Sequence, residues 1–499
     1  MFYFTCGIIL IYSVRRVHLY RIMSINTSCD SYRISFYWLL GIIRSRVCIW
    51  SYFYLDREES YNRFSKLLGV FIVRIVLLIL FSNLFMTLIG WDGLGVTSFL
   101  LVIYYKNRKS LGSGLITALR NRIGDSLYIC LLGFSLFNAN VSSLILLILL
   151  SITKRAQIPF SSWLPAAISA PTPVRALVHS STLVTAGVYV LIRYCGSDIG
   201  PLFFVGSITI LLAGLCACVE SDLKKVIALR TLSQLGVMIV SLGSQEKSYC
   251  FFHLISHACF KALLFMGVGF WIHSIYATQE YRSYNIMTGS TYVSVLLTVA
   301  NLSLMGFLFT SGFYRKDAIL ERLTVSTINA WTIILFLIAI GLTTCYSVKI
   351  LRCTLFHNTF SNSSSSRIGL ACWKVKIPLL ILSLARVAFG TLLTQHTSPL
   401  MVSLNHLDKI APFLLILTGL IAGFVASSFH GTLLSGMLFL VPLTQLNRSL
   451  VVLDHQRAID KGWVEIFSSS LSSFSSAALN HNITVIGIGL SIFFITKTI

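Results

Sequence analysis

The sequence predicts an all-α, polytopic transmembrane helix bundle of about fourteen to sixteen helices, some of them broken. Three observations predict it. Of the 499 residues, 56% are hydrophobic and only 11% charged, with a mean hydropathy of +0.81. A soluble domain carries about 25% charged residues, so this chain lacks the charge to cover a solvated surface. Apolar runs of roughly 20 residues, enough to cross a bilayer, recur along nearly the whole chain. These runs are continuous rather than alternating, which selects helices over a closed barrel.

In chain order, spans are expected at 36–53, 67–88, 89–105, 111–137, 174–195, 201–219, 226–243, 249–273, 291–310, 327–350, 376–394, 410–428, 432–447 and 482–497, with shorter apolar pieces at 3–12 and 142–152. Residues 1–66 form a more polar N-terminal region of helices, and 67–350 a core dense in unusual polar residues. Residues 351–431 add further bundle helices after an exposed loop near 357–375, which is rich in Ser and Asn. The stretch 432–499 is semi-polar before a last apolar run, a pattern suited to a lateral helix and a final anchor.

The formal charge is +22. In a membrane protein that excess reads as basic loops beside anionic phospholipid, not as a nucleic-acid surface, since no aromatic–basic interleaving accompanies it. The 12 cysteines are scattered, with Cys216 and Cys218 the closest pair. No C-x-x-C occurs, which argues against an iron–sulfur cluster and for small apolar core residues. No cleavable signal or transit peptide stands at the N-terminus, as expected of a protein made inside the compartment whose membrane it enters.

Pro159, Pro165, Pro171 and Pro173 crowd one short segment directly after Lys154. Proline removes a helix donor and clashes with the preceding turn, so a membrane helix entering this segment must break. Broken backbone at membrane depth survives only inside protein or beside a water-filled cavity.

Ionisable residues inside spans cost about 2.5–3.5 kcal/mol each even on a lenient insertion scale, and so mark function. Asp92 lies in Gly90-Trp91-Asp92-Gly93, and His179 in Leu177-Val178-His179-Ser180. Asp125, a secondary candidate, follows Asn121-Arg122-Ile123-Gly124, while Lys316 and Asp317 interrupt the apolar stretch from 291 to 350. The sharpest pattern is His253, His257 and Lys261. Residues at i, i+4 and i+8 drift only about 80° around a helix and climb about 12 Å, so the three share a stripe. A neutral imidazole both donates and accepts, which suits proton hopping. No carboxylate or thiolate shares the face, so the stripe reads as a relay rather than a zinc site. Burial favours a neutral lysine and a nearby carboxylate favours a charged one. Moving the carboxylate therefore links conformation to protonation, and Asp92 is the expected mobile partner of Lys154.

Several segments together resemble one family. They are Gly90-Trp91-Asp92-Gly93-Leu94-Gly95, Asn121-Arg122-Ile123-Gly124-Asp125, Ala156-Gln157-Ile158-Pro159-Phe160-Ser161-Ser162-Trp163-Leu164-Pro165, the run from Ala176 to Tyr189, His253 to Lys261, and Gly312-Phe313-Tyr314-Arg315-Lys316-Asp317. They are similar to the antiporter-like subunit 5 of mitochondrial NADH:ubiquinone oxidoreductase, respiratory complex I, of an invertebrate. The resemblance implies a proton-pumping subunit of the inner mitochondrial membrane, at the distal end of the membrane arm and beside other membrane-arm subunits. It implies no redox centre in this chain, with NAD, FMN, iron–sulfur clusters and ubiquinone bound by other subunits. By the same resemblance, Asp92 is the acidic partner (usually Glu), Lys154 the broken-helix lysine, His179 and Lys261 the central relay, and Lys316 with Asp317 the distal site. The alternative is a subunit of a multi-subunit sodium/proton antiporter, which shares these motifs.

The pattern departs from the family at Arg120, Arg155, Arg175, Arg230 and Arg315, where the resemblance implies Ser or another small residue. Arg44, Arg46, Arg74 and Arg386 are also odd, lying in or beside apolar runs. Only 17 acidic residues are available to pair with them. These arginines are expected to be AGA or AGG codons, which many invertebrate mitochondria read as Ser.

Overall fold

The computed structural model describes residues 30–426, except 57, 137–139, 196–199, 246, 275–290, 308–309, 311, 313–315, 317–318, 321–329, 356–372 and 397–405. The chain divides into two units, Met1–Ser435 and Gly436–Ile499, and every described residue lies in the first. The spans expected at 432–447 and 482–497, the piece at 3–12 and the lateral segment 432–499 lie outside the described residues.

The long elements are all helices: α1 Ser31–Tyr54, α2 Tyr61–Leu80, α3 Leu84–Val102, α4 Arg108–Leu136, α5 Asn140–Lys154, α6 Thr172–Tyr194, α7 Gly200–Val219, α8 Leu223–Gly243, α9 Lys247–Ser274, α10 Thr291–Met305, α11 Ala330–Leu355, α12 Trp373–His396 and α13 His406–Ala426. Among the described residues, 6 helices are long and apolar enough to cross a membrane by length and composition: α3, α6, most of α7, α8, α9 and the middle of α11. The others are shorter or carry more charge. Helix α4, for example, includes Arg108, Lys109, Arg120, Arg122 and Asp125.

The sequence reading carried one span through 67–88, but the chain breaks earlier. Helix α2 ends at Leu80, and Phe81 and Asn83 are extended, with ψ of 136° and 137°. The break leaves the Ser82 carbonyl outside a helical ladder, and the Tyr194 hydroxyl of α6 donates to it at 2.8 Å. Apolar periodicity runs straight through such a break, so hydropathy alone misplaces it.

Helices α6, α8 and α9 are buried along almost their whole length and form the centre. The outer helices expose Leu119, Ile129, Phe204 and Ile421, as a lipid-facing surface requires. Close approach of α7 and α8 depends on two glycines. A Cβ on Gly236 would lie 2.5 Å from Ile210 Cγ1 and 3.0 Å from the Gly206 carbonyl oxygen, the small-residue packing that membrane helices use in place of a hydrophobic drive.

The proline-rich segment breaks the helix as expected. After Lys154 the chain leaves α5, Ala156 takes a positive φ of 58°, and regular α-helix resumes only in the short turn Trp163–Ala166. Ala156, Gln157, Trp163 and Leu164 are buried, so this is irregular backbone enclosed by protein rather than an exposed loop.

Candidate functional site

The site begins where α5 stops. Lys154 closes that helix and is 0% exposed. Its Nζ donates to the Trp91 carbonyl at 2.5 Å and sits 3.9 Å from the Trp91 ring centroid, within cation–π reach. Asp125 Oδ1 of α4 lies 3.9 Å away, an ion pair longer than a hydrogen bond. The other Asp125 oxygen is 3.7 Å from Arg122 Nη1, and Arg122 donates to Asp92 Oδ1 at 3.0 Å. Four charges thus run in sequence from α3 to α5: Asp92, Arg122, Asp125, Lys154.

This order differs from the expected pairing of Asp92 with Lys154. The carboxylate nearest Lys154 is that of Asp125, and Asp92 stands behind it, bonded to Arg122, beside the Asp125 carboxyl and still within electrostatic reach of Lys154. The cause is geometric. Trp91 faces the interior and takes the lysine on its carbonyl and ring, which turns the next residue outward. Asp92 is 43% exposed and Arg122 62%, against 10% for Asp125.

The break carries the site onward. Trp163 Nε1 donates to the Thr153 carbonyl at 3.3 Å, and its ring centroid lies 6.0 Å from that of His179. His179 stands in a π-helical stretch of α6, Arg175–Thr182. A π turn widens the helix and leaves its carbonyls poorly matched, and here hydroxyls supply the donors. Ser181 Oγ donates to the Leu177 carbonyl at 2.9 Å, Thr182 Oγ1 to the same oxygen at 2.7 Å, and Thr185 Oγ1 to the Ser181 carbonyl at 2.7 Å.

Helix α9 packs against this π segment and carries His253, His257 and Lys261, each 0% exposed. The two imidazole rings are stacked, 6.1 Å apart and 16° from parallel. At the far side, α10 ends at Met305 and Gly306 turns with φ of 83°. That turn frees the Met305 carbonyl, and Lys316 Nζ donates to it at 2.6 Å and to Thr343 Oγ1 of α11 at 2.9 Å. A Cβ at position 306 would meet Lys316 Cδ at 3.1 Å, so glycine serves both the turn and the lysine. Asp317 lies outside the described residues.

The sequence reading missed Trp91, Arg122, Trp163 and Thr343 as parts of the site. Arg122 stood in a quoted motif three residues before Asp125, the spacing of a helical ion pair. Thr343 carries no signal at all, since a threonine in an apolar span is ordinary.

Residues 134–343 match the family described as "NADH:quinone oxidoreductase/Mrp antiporter, TM". The chain is 40% identical to NADH-ubiquinone oxidoreductase chain 5 of Artemia franciscana, over 88% of this chain and 84% of that protein. This chain belongs to the NADH-ubiquinone oxidoreductase chain 5 family. Further members with that name are 37% identical in Anopheles gambiae, over 87% of this chain and 82% of that one, and 36% identical in Lumbricus terrestris, over 92% and 86%. Two solved structures share the fold. The Mrp complex from Dietzia sp. DQ12-45-1b aligns with a TM-score of 0.69 at 21% identity, over 91% of this chain and 56% of that one. An archaeal membrane-bound sulfane sulfur reductase aligns at 0.62 and 19%, over 77% and 84%. The family thus has an antiporter-like bundle, and the broken helix with its buried lysine falls inside the matched region.

Proposed function

We propose that this chain is a proton-translocating membrane subunit of respiratory complex I in the inner mitochondrial membrane, held among other membrane-arm subunits and phospholipid. The observation that carries this is Lys154: wholly buried at a helix break, with one carboxylate, Asp125, 3.9 Å away. A lysine so placed keeps its proton while the carboxylate is near and releases it when the carboxylate withdraws. The 3.9 Å separation leaves the pair sensitive to a small shift of α4 against α5.

A proton released by Lys154 passes to His179, then along His253, His257 and Lys261 on α9, and on to Lys316. Each imidazole takes a proton on one nitrogen and gives one up from the other. Asp92 and Arg122 bias the position of Asp125 from the outer side, and Asp317 belongs to the distal site. The chain oxidises nothing itself. NADH, FMN, iron–sulfur clusters and ubiquinone belong to other subunits, whose reaction drives the carboxylate movement.

The test is NADH-driven acidification of vesicles carrying the purified complex. Lys154→Met is expected to abolish most of the acidification while the complex still assembles on a native gel. Normal pumping in that variant rejects the role of Lys154. Proton uptake driven by a sodium gradient, with the chain absent from any NADH-oxidising complex, would instead favour the antiporter reading.

A further inference from the structure

The relay is flanked by three buried guanidinium groups that no carboxylate among the described residues pairs with. Arg155 is 0% exposed, and its Nε and Nη1 have no hydrogen-bond partner; its one bond runs from Nη2 to the Gly187 carbonyl at 2.6 Å. Arg175 is buried with Nε and Nη1 unpartnered and one bond to the Ala170 carbonyl at 2.8 Å. Arg230 is buried, donates to Asn301 Oδ1 at 3.0 Å, lies over the Tyr346 ring, and leaves Nη2 unpartnered. None of the ion pairs among the described residues involves any of the three.

Arginine cannot escape this by losing its proton, because it stays charged under all ordinary conditions. A buried charge is tolerated when paired and fully hydrogen-bonded, and these are neither. Two other arginines in the same chain, buried Arg33 and exposed Arg122, do have carboxylate partners. Arg33 is 3.2 Å from Asp30, and Arg122 is 3.0 Å from Asp92 and 3.7 Å from Asp125. Arg46, Arg120 and Arg193 also leave guanidinium nitrogens unpartnered, but Arg155, Arg175 and Arg230 combine that with almost complete burial.

We propose that positions 155, 175 and 230 carry serine in the protein as synthesised, so that hydroxyl groups, not fixed cations, border the relay. The proposal rests on the mitochondrial reading above, because mitochondria of many invertebrates translate AGA and AGG as serine, and the relatives named above are all invertebrate. Serine is the residue that a single reassigned codon would supply, and it fits each site. Position 155 adjoins Lys154, position 175 lies in the π-helical stretch four residues before His179, and position 230 reaches between α8, α10 and α11. A hydroxyl donates and accepts, and it leaves a fixed positive charge out of a path along which a proton must move. The Gly187 and Ala170 carbonyls and Asn301 Oδ1 then become acceptors for water, which needs two to four polar partners to settle inside a protein. Arg120 is less decisive, since its Nη2 bonds Ser162 Oγ at 2.8 Å and its guanidinium lies over Phe160. Arg315 lies outside the described residues.

The experiment is chymotryptic peptide mass spectrometry on the chain from a native membrane preparation, read beside the codons of its gene. Serine is expected at 155, 175 and 230, each encoded by AGA or AGG. Arginine is expected at 33 and 122, which serve as internal controls. Arginine at any of the three positions, or CGN codons there, overturns the proposal, and so does serine at 122. The masses are read in whichever complex holds the chain. Finding it outside an NADH-oxidising complex would reject the proposed function and leave the serine reading intact.

Discussion

The region from α3 to α6 and the region from α8 to α11 each bury a lysine beside a helix end, but they satisfy it differently. Lys154 has a carboxylate, Asp125, together with the Trp91 carbonyl and ring. Lys316 is bonded to a carbonyl and a hydroxyl, those of Met305 and Thr343. The first arrangement sets a carboxylate against the ammonium, and the second includes a helix-end carbonyl and a hydroxyl. A charge pair changes strongly when its partner moves, whereas dipoles fixed in a helix end hold their value. We propose that the first lysine switches as its carboxylate moves, while the second is anchored by Met305 and Thr343.

The largest expected effect comes from breaking the charge pair. Asp125→Asn removes the carboxylate nearest the buried Lys154 cation, a change of about 3–5 kcal/mol where one partner of a buried pair is removed. NADH-driven acidification in vesicles should fall by more than about tenfold. Asp92→Asn removes an exposed pair to Arg122, worth about 0–1 kcal/mol, and should lower acidification about twofold or less. Equal losses in the two variants would erase the distinction between the inner and outer carboxylate.

On the Lys316 side, Thr343→Val deletes the hydroxyl that accepts from Lys316. A hydrogen bond to a charged group contributes about 1.5–3 kcal/mol, and the Met305 carbonyl retains part of it. Pumping should drop several-fold, well short of the Asp125→Asn loss. A loss as large as that one would mean that Lys316 also switches.

The smallest effect concerns packing. Gly236→Ala drives a methyl group into Ile210 and the Gly206 carbonyl, and overpacking of this kind costs about 1–3 kcal/mol. The purified complex should lose thermal stability, measured by a melt in detergent, with little change in pumping per assembled complex. An unchanged melt would show that α7 and α8 can separate without cost.

Much of this was legible in the residues. Helices α1, α7, α8 and α9 follow the apolar runs closely because long apolar stretches have no other solution in lipid. The prolines after Lys154 foretold the broken segment because proline cannot continue a helix. His253, His257 and Lys261 fall on one buried helix because their spacing matches its turn. The break at Ser82-Asn83 was not legible, since it is fixed by Tyr194 of a helix more than a hundred residues away.

The sequence by itself determined the class of fold, through its continuous apolar runs, and the buried stripe of His253, His257 and Lys261, through its spacing, while the resemblance of its motifs pointed to the family. Which carboxylate meets Lys154 was decided only by tertiary structure. The motifs pointed to Asp92, with Asp125 secondary, and the rotation of α3 that points Trp91 inward turns Asp92 out. The π turn around His179 and the Gly306 turn that frees the Met305 carbonyl for Lys316 are likewise products of packing. Both depend on where neighbouring helices leave room, and a one-dimensional pattern does not record that.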